Sequence, residues 1–278
     1  MTDSHHPERT PALSAQALSA GYGDRNVVQA ATLAFDPATL TVLLGPNGSG
    51  KSTLLGALAR LLRPQAGAAL LHGQPIHRLP TREVARQLGI LPQAPALPES
   101  MTVLDLVSFG RQPHLGVLRQ WRDADTQAVE RAMRLTGTLA FADLPVDGLS
   151  GGQRQRCWIA MALAQETGII LLDEPTTYLD LKYQVEIMDL LHSLVHEHGR
   201  TLVVVLHDLN LALAYADRLV LMKDGRIRAD LKDPAACTAD LVQEVFDVDV
   251  VAVQGPSGMA RPLFMPRRAV GLAGSTPS

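Results

Sequence analysis

Nine consecutive residues, Gly45-Pro46-Asn47-Gly48-Ser49-Gly50-Lys51-Ser52-Thr53, combine glycines, one lysine and hydroxyl side chains. Glycine permits positive φ angles and close backbone approach, so successive N–H groups can face phosphate oxygens. A helix beginning here would direct its positive dipole end at the same charge. Lys51 then reaches the β- and γ-phosphates of a nucleotide, and the Ser52 hydroxyl is placed for Mg²⁺. This is a phosphate-binding loop if a strand precedes it and a helix follows it.

Further along, Asp173 and Glu174 close the apolar run Ile169-Ile170-Leu171-Leu172. Catalytic groups of open α/β sheets collect at strand ends. Asp173 is a candidate for holding Mg²⁺, and Glu174 is a candidate general base that polarises a water. Both would also serve as exposed acids capping a strand. His207 ends the next apolar run, where it can bond a γ-phosphate and orient the water with Glu174. A lone histidine at a strand end is more often structural, and only its place after the Asp173-Glu174 strand favours the functional reading. Ser150-Gly151-Gly152-Gln153 opens a helix carrying Trp158, Ile159 and Met161. A serine N-cap followed by two glycines exposes backbone donors at a positive dipole end. One chain thus carries two phosphate-binding surfaces.

Several elements must position these groups. Leu40 to Leu44 reads as a strand entering the glycine loop, and Lys51 to Leu62 as a helix ended by Arg63-Pro64. Gly168 to Leu172 and Thr201 to Leu206 are near-continuous apolar runs, the pattern of parallel strands buried on both faces. Leu181 to His196 is long enough for the crossover helix between them. Lys223-Asp224-Gly225-Arg226 is a hairpin turn inside Arg218 to Asp230. Residues from about Pro95 to Gly148 are rich in helix formers and read as a helical insertion between two halves of the sheet. The first dozen residues and 271–278 read as frayed ends.

At 278 residues and 46% hydrophobic content, the chain can bury a large core. A net charge of −3 gives no surface suited to coating nucleic acid. Cys157 and Cys237 are far apart and outside any metal-binding spacing, which suits a reducing compartment. No apolar run reaches the about 18 residues of a membrane-spanning helix. Met1 to Arg9 has no apolar core of a secretory signal. These features predict a soluble intracellular chain whose membrane role, if any, is supplied by partners.

The ordered set of motifs resembles the ATP-binding cassette family, from about Leu18 to Phe246. The resemblance implies an α/β P-loop NTPase fold with a RecA-like parallel core sheet, an antiparallel β lobe and an inserted helical subdomain. It implies an ATPase domain over 12–250 containing that subdomain at about 95–165, then an extension over 251–278. ATP and Mg²⁺ are the implied ligands. The loop residues Gly45, Pro46, Asn47, Gly48, Ser49, Gly50, Lys51, Ser52 and Thr53 would bind ATP, with Thr53 on the α-phosphate. Gln93 matches the glutamine that contacts Mg²⁺ or water, joining Ser52 and Asp173 at the metal. Tyr22 matches the aromatic that stacks on adenine. Lys51, Glu174 and His207 are the implied catalytic set. The family pairs two copies head-to-tail, so Ser150, Gly151, Gly152 and Gln153 of one cover the ATP of the other, and Asp180 crosses the interface.

The implied partners are a second copy in the ATP-bound state, two transmembrane permease subunits and, indirectly, an extracytoplasmic solute-binding protein. The implied location is the cytoplasmic face of the inner membrane. Gly110-Arg111-Gln112-Pro113-His114, Glu174 to Asp180 and His207-Asp208-Leu209-Asn210 are similar to importers of ferric siderophores, haem or vitamin B12, and most similar to ferric citrate-type importers. Met161, where many cassettes carry arginine, is shared by that subgroup. The solute never touches this subunit, so cobalamin, haem and other cargoes stay open. Met101 and Val103 are read either as lining a groove for a permease helix or as packing on their own core. Cassette ATPases acting on ribosomes or DNA are a remote alternative, because the interval from Lys51 to Ser150 lacks heptads and cysteine pairs. A small-molecule kinase would have no use for Leu149 to Gln153.

Overall fold

The structure is a computed structural model describing residues 11–93, 100–115, 120–254 and 261–267. The ends read above as frayed lie outside the described residues except for Pro11 and Ala12, as do 95–99 and 116–119 of the helical insertion.

β1 (Leu13–Tyr22) and β2 (Arg25–Phe35) form a hairpin, β3 (Leu40–Leu44) leads into the glycine loop, and α1 (Lys51–Leu58) leaves it. After β4 (Ala66–Leu71), β5 (Gln74–Pro75), α2 (Thr81–Ala85) and β6 (Leu88–Leu91) come the helices α3 (Val103–Phe109), α4 (Asp123–Leu135) and α5 (Gly151–Ala164). Then follow β7 (Ile169–Asp173), α6 (Leu181–His196), β8 (Thr201–Val205), α7 (Leu209–Tyr215), β9 (Arg218–Lys223) and β10 (Arg226–Leu231). α8 (Ala239–Phe246) and the strands β11 (Val250–Gln254) and β12 (Pro262–Pro266) end the described chain.

Among the described residues the central sheet runs β10-β9-β3-β8-β7-β6, parallel throughout except for the β9–β10 hairpin. A second, antiparallel sheet runs β2-β1-β4-β5. The alternating side chains of the central strands feed two cores. Val42, Leu172, Val204 and Leu221 join the helices α3 to α8 on one face. Leu43, Leu171, Val203 and Val220 meet α1 and the antiparallel sheet on the other. Burial on both faces is why these strands read as unbroken apolar runs. The Asp224-Gly225 turn has φ of 52° and 74°, both in the left-handed region that a tight right-twisted hairpin requires.

The helix after the glycine loop is shorter than its apolar spacing predicts. It ends at Leu58, Arg60 turns left-handed at φ 65°, and Leu61 and Leu62 donate their N–H groups back to Gly56 O. Leu62 still packs on the core, whereas Leu61 faces solvent.

The Gly110-Arg111-Gln112-Pro113-His114 stretch is a latch within the helical layer. A Cβ on Gly110 would stand 2.1 Å from Met161 O, so only glycine lets α3 end against α5. Arg111, 3% exposed, donates to Asp125 Oδ1 of α4 at 3.0 Å, to Ala164 O at 2.8 Å and to Glu166 at 2.7 Å. His114 Nε2 meets Gln165 O at 2.8 Å. Arg82 and Arg86, at α2, both donate to Pro113 O. One guanidinium therefore ties α3, α4 and the end of α5 together, and the same loop reaches the sheet domain.

Candidate active site

The candidate residues gather because neighbouring parallel strands end at one edge. The glycine loop follows β3, His207 follows β8, Asp173 and Glu174 close β7, and Gln93 follows β6. Clefts outside the carboxyl ends of parallel strands are where α/β sheets bind ligands.

The loop itself is held by close packing. A Cβ on Gly45, at φ 152°, would lie 2.0 Å from Met222 O, so the loop can lie against β9 only with glycine there. Gly225 N donates to Ser49 O at 3.1 Å, fixing the β9–β10 turn beneath the loop. Ser49 Oγ is buried and has no hydrogen-bond partner among the described residues. Lys51 Nζ donates to Gly45 O at 2.8 Å and to Pro46 O at 3.1 Å, so the ammonium sits over its own loop. Burial pushes the Lys51 amine down, opposed by the carboxylates of Glu174 and Asp173. Ser52 Oγ donates to Asp173 Oδ1 at 3.0 Å. Burial raises the Asp173 carboxyl above its ordinary value, with the Ser52 bond acting against it.

Glu174 is the hub. Gln93 Nε2 donates to its Oε2 at 2.5 Å, Thr177 Oγ1 donates to Oε2 at 3.0 Å, and His207 Nε2 lies 2.5 Å from Oε1. Its backbone takes φ 54°, a left-handed conformation uncommon for glutamate and costing about 1–3 kcal/mol. That backbone is fixed by Glu174 N donating to Val205 O and Thr177 N to Glu174 O.

Val27, Asn47, Gly48, Gly50, Lys51, Ser52, Thr53 and Glu174 line a cavity of about 140 Å³. An enclosing ligand pocket has about 300–1,000 Å³, so this is a shelf with an open side. The residues fit a triphosphate and a hard cation: a glycine cradle, an unpartnered buried hydroxyl, an ammonium, a helix N-terminus and a Ser52–Asp173 oxygen pair. Tyr22 stands apart on the antiparallel sheet, 64% exposed at the tip of β1.

The Ser150–Gln153 turn, read from the sequence as a second phosphate surface, is not on this shelf. Ser150 caps α5 by accepting from Gln153 N at 3.3 Å, while Gln153 Oε1 accepts from Ser150 N at 3.0 Å. Gly151 abuts Leu179, and a Cβ on Gly152 would stand 2.5 Å from the Tyr183 ring. Asp180 caps α6 through Tyr183 N at 3.1 Å. Beside it Tyr178 is 96% exposed and Leu181 is exposed, an apolar surface next to polar backbone donors.

Sequence reasoning missed Thr177 and Val27. Thr177 had a signal, its position three residues after Glu174 in a loop; Val27 had none, because only folding brings the antiparallel sheet to the loop. Of the two readings of Met101 and Val103, packing prevails: Val103 is fully buried and Met101 packs on the core. A groove of about 450 Å³ lies nearby instead, with Leu104, Trp121, Val129, Met133 and Leu139 along it.

The sequence profile described as ABC transporter matches residues 28–177. YusV of Bacillus subtilis (strain 168), assigned to a siderophore transport system as its ATP-binding protein, is 52% identical over 255 residues, 92% of each chain. An inward-facing structure assigned to the metal-chelate type of ABC transporter superposes with a TM-score of 0.81 at 28% identity, covering 93% of this chain and 98% of that one. The dimeric structure of MJ0796, a bacterial ABC transporter cassette, gives 0.69 at 29% identity, covering 78% and 97%. The chain belongs to the ABC transporter family, as one of its ATPase subunits. Such cassettes work as dimers with membrane permease subunits. Among the described residues no helix is long and apolar enough to cross a membrane.

Proposed function

We propose that this subunit hydrolyses ATP to drive import of an iron(III)–siderophore complex, bound peripherally at the cytoplasmic face of the membrane through its permease partners. The observation carrying the catalytic part is Glu174, bonded at once by Gln93, Thr177 and His207 beside the phosphate loop. The cargo rests on the likeness to YusV and to the metal-chelate structure. Residues 12–250 form the ATPase domain, 95–165 its helical subdomain and 251–278 an extension.

Backbone donors from Gly45 to Gly50 cradle the phosphates while Lys51 leaves its loop carbonyls for the β- and γ-oxygens. Thr53 bonds the α-phosphate and Tyr22 stacks on adenine. Ser52, Asp173 and Gln93 would hold Mg²⁺, which would supply charge neutralisation on the phosphate oxygens. Glu174 orients water for attack and His207 holds Glu174 and the γ-phosphate. Ser150 to Gln153 of a second copy close the open side of the shelf, with Tyr178 and Asp180 buried at that contact. Loss of the γ-phosphate removes cross-interface contacts, and the dimer reopens. The Leu104–Trp121 groove receives a permease helix, and the Arg111 latch moves α5 with it.

The test is uptake of labelled iron on a siderophore panel, beside labelled cobalamin, after deleting the gene. We expect loss of one iron chelate, restored by the wild-type chain and not by Lys51→Ala. Unchanged iron uptake with lost cobalamin uptake would overturn the cargo and leave the ATPase reading standing.

A further inference from the structure

Of the segment His207-Asp208-Leu209-Asn210 the hydrolysis scheme uses only His207, and Asn210 makes bonds that scheme does not call on. Asn210 sits in the first turn of α7, three residues after His207, whose neighbour Asp208 caps α7 by accepting from Leu211 N at 2.8 Å. The Asn210 side chain does not face the phosphate loop. It pairs in both directions with the backbone of β12: Nδ2 donates to Phe264 O at 3.1 Å, and Phe264 N donates to Oδ1 at 2.9 Å. A side-chain amide paired with a single residue's backbone fixes position and orientation together.

The same hairpin grips the far end of the helix. Arg261 Nη1 donates to Leu213 O at 2.8 Å and to Ala214 O at 3.1 Å, carbonyls of the last turn of α7 that lack helical partners. A cation at a helix C-terminus is also favoured by the helix dipole. Phe264 is buried in the core cluster that contains Ala212 and Leu213. On its other side α7 is held by Tyr215 Oη, which donates to Asp189 of α6 at 2.7 Å. β11, which pairs with β12 along its length, lies against α8, and α8 is tied to the loop-bearing hairpin where Lys223 Nζ donates to Asp247 and to Glu244 O. A seven-residue helix carries little stability of its own, so its placement depends on these tethers.

We propose that β11–β12 is a strap that holds His207 against Glu174, with Asn210 and Arg261 as positioning residues at its two buckles. This rests on His207 acting in hydrolysis as proposed above. The strap sets the start of α7, α7 sets the turn at Asp208, and that turn sets the imidazole 2.5 Å from Glu174 Oε1. None of the described strap residues lines the phosphate shelf, so the effect falls on the chemical step and spares nucleotide binding.

The experiment compares steady-state ATP hydrolysis by the purified full chain and by Asn210→Ala, Arg261→Met and His207→Ala variants, with Asn210→Ala repeated in the His207→Ala background. We expect Asn210→Ala to lower kcat roughly tenfold, because small misplacements of a reacting group are costly. KM for ATP should stay within about twofold, the mark of an interaction used after binding. Arg261→Met should act in the same direction. In the His207→Ala background, Asn210→Ala should lower single-turnover hydrolysis no further, since coupled residues are non-additive. Equal losses in both backgrounds, or wild-type kcat in both Asn210→Ala and Arg261→Met, would overturn the strap while His207 keeps its role. Wild-type kcat in His207→Ala would overturn the histidine's role and the strap with it. Thermal melts of each variant show whether fold loss, rather than misplacement, lowers activity; a loss of kcat that tracks unfolding counts against the strap.

Discussion

At the scale of single residues, the site depends on a few short contacts. Glu174 combines a strained backbone with bonds from Gln93, Thr177 and His207. Glu174→Gln retains its shape and loses the carboxylate, so kcat should fall about 10²–10⁴-fold, the range for removing a general base. Nucleotide affinity, followed by titration with a fluorescent ATP analogue, should stay near wild type. Lys51→Ala differs, because it removes the cation that stands over the loop, and both binding and hydrolysis should fail. Gly45→Ala would drive a methyl into Met222 O, displacing the loop from β9. It should lower nucleotide affinity through shape alone, with every charged group still present.

At the scale of elements, the Arg111 latch joins three helices. Arg111→Met removes the cation from beside the buried Asp125 carboxylate and should destabilise the fold by about 3 kcal/mol in urea titrations, as breaking buried pairs does. Glu166 gives the latch a pH dependence. Burial pushes its carboxyl up, but bonds and charge from Arg131 and Arg111 outweigh this and hold it below its ordinary value. Its folded value is depressed, so its contribution is present above the unfolded value and lost as pH falls through the folded one. Glu166→Gln should therefore lower the midpoint of urea denaturation at neutral pH, and that difference should vanish under strong acid. α5 also meets α6, because Gly152 lies under the Tyr183 ring and Arg156 pairs with Glu186. The turn at Ser150 therefore adjoins Asp180, its expected companion at a dimer contact.

At the scale of the molecule, one chain presents a phosphate shelf with an open side and a separate helix N-terminus flanked by exposed Tyr178 and Leu181. A two-fold pair satisfies both surfaces at once. With ATP and Mg²⁺, Glu174→Gln should elute as a dimer in light-scattering chromatography. Tyr178→Asp in that background should elute as a monomer, because a charge at a closing apolar contact is left desolvated. Chelating Mg²⁺ should stop hydrolysis in the wild-type chain and dissolve the dimer.

Much of this was legible in the sequence, for local reasons. Gly168 to Leu172 and Thr201 to Leu206 were readable as buried parallel strands because burial on both faces removes alternation, and Leu40 to Leu44 as the strand entering the glycine loop. Lys51 was readable from the glycine loop around it, and Asp173, Glu174 and His207 because each stands where such a strand ends. Ser150 was readable as a cap from its own type and the glycines after it. The end of α1 was not, since Leu61 and Leu62 keep helical spacing while Arg60 turns left-handed. The use of Arg111 as a three-way latch, the packing of Val103, the approach of Val27 to the loop and the grip of Phe264 on Asn210 were decided only by tertiary structure. Each joins residues distant in the chain, and periodicity reports which face of an element is apolar but carries no record of which distant backbone that face will meet.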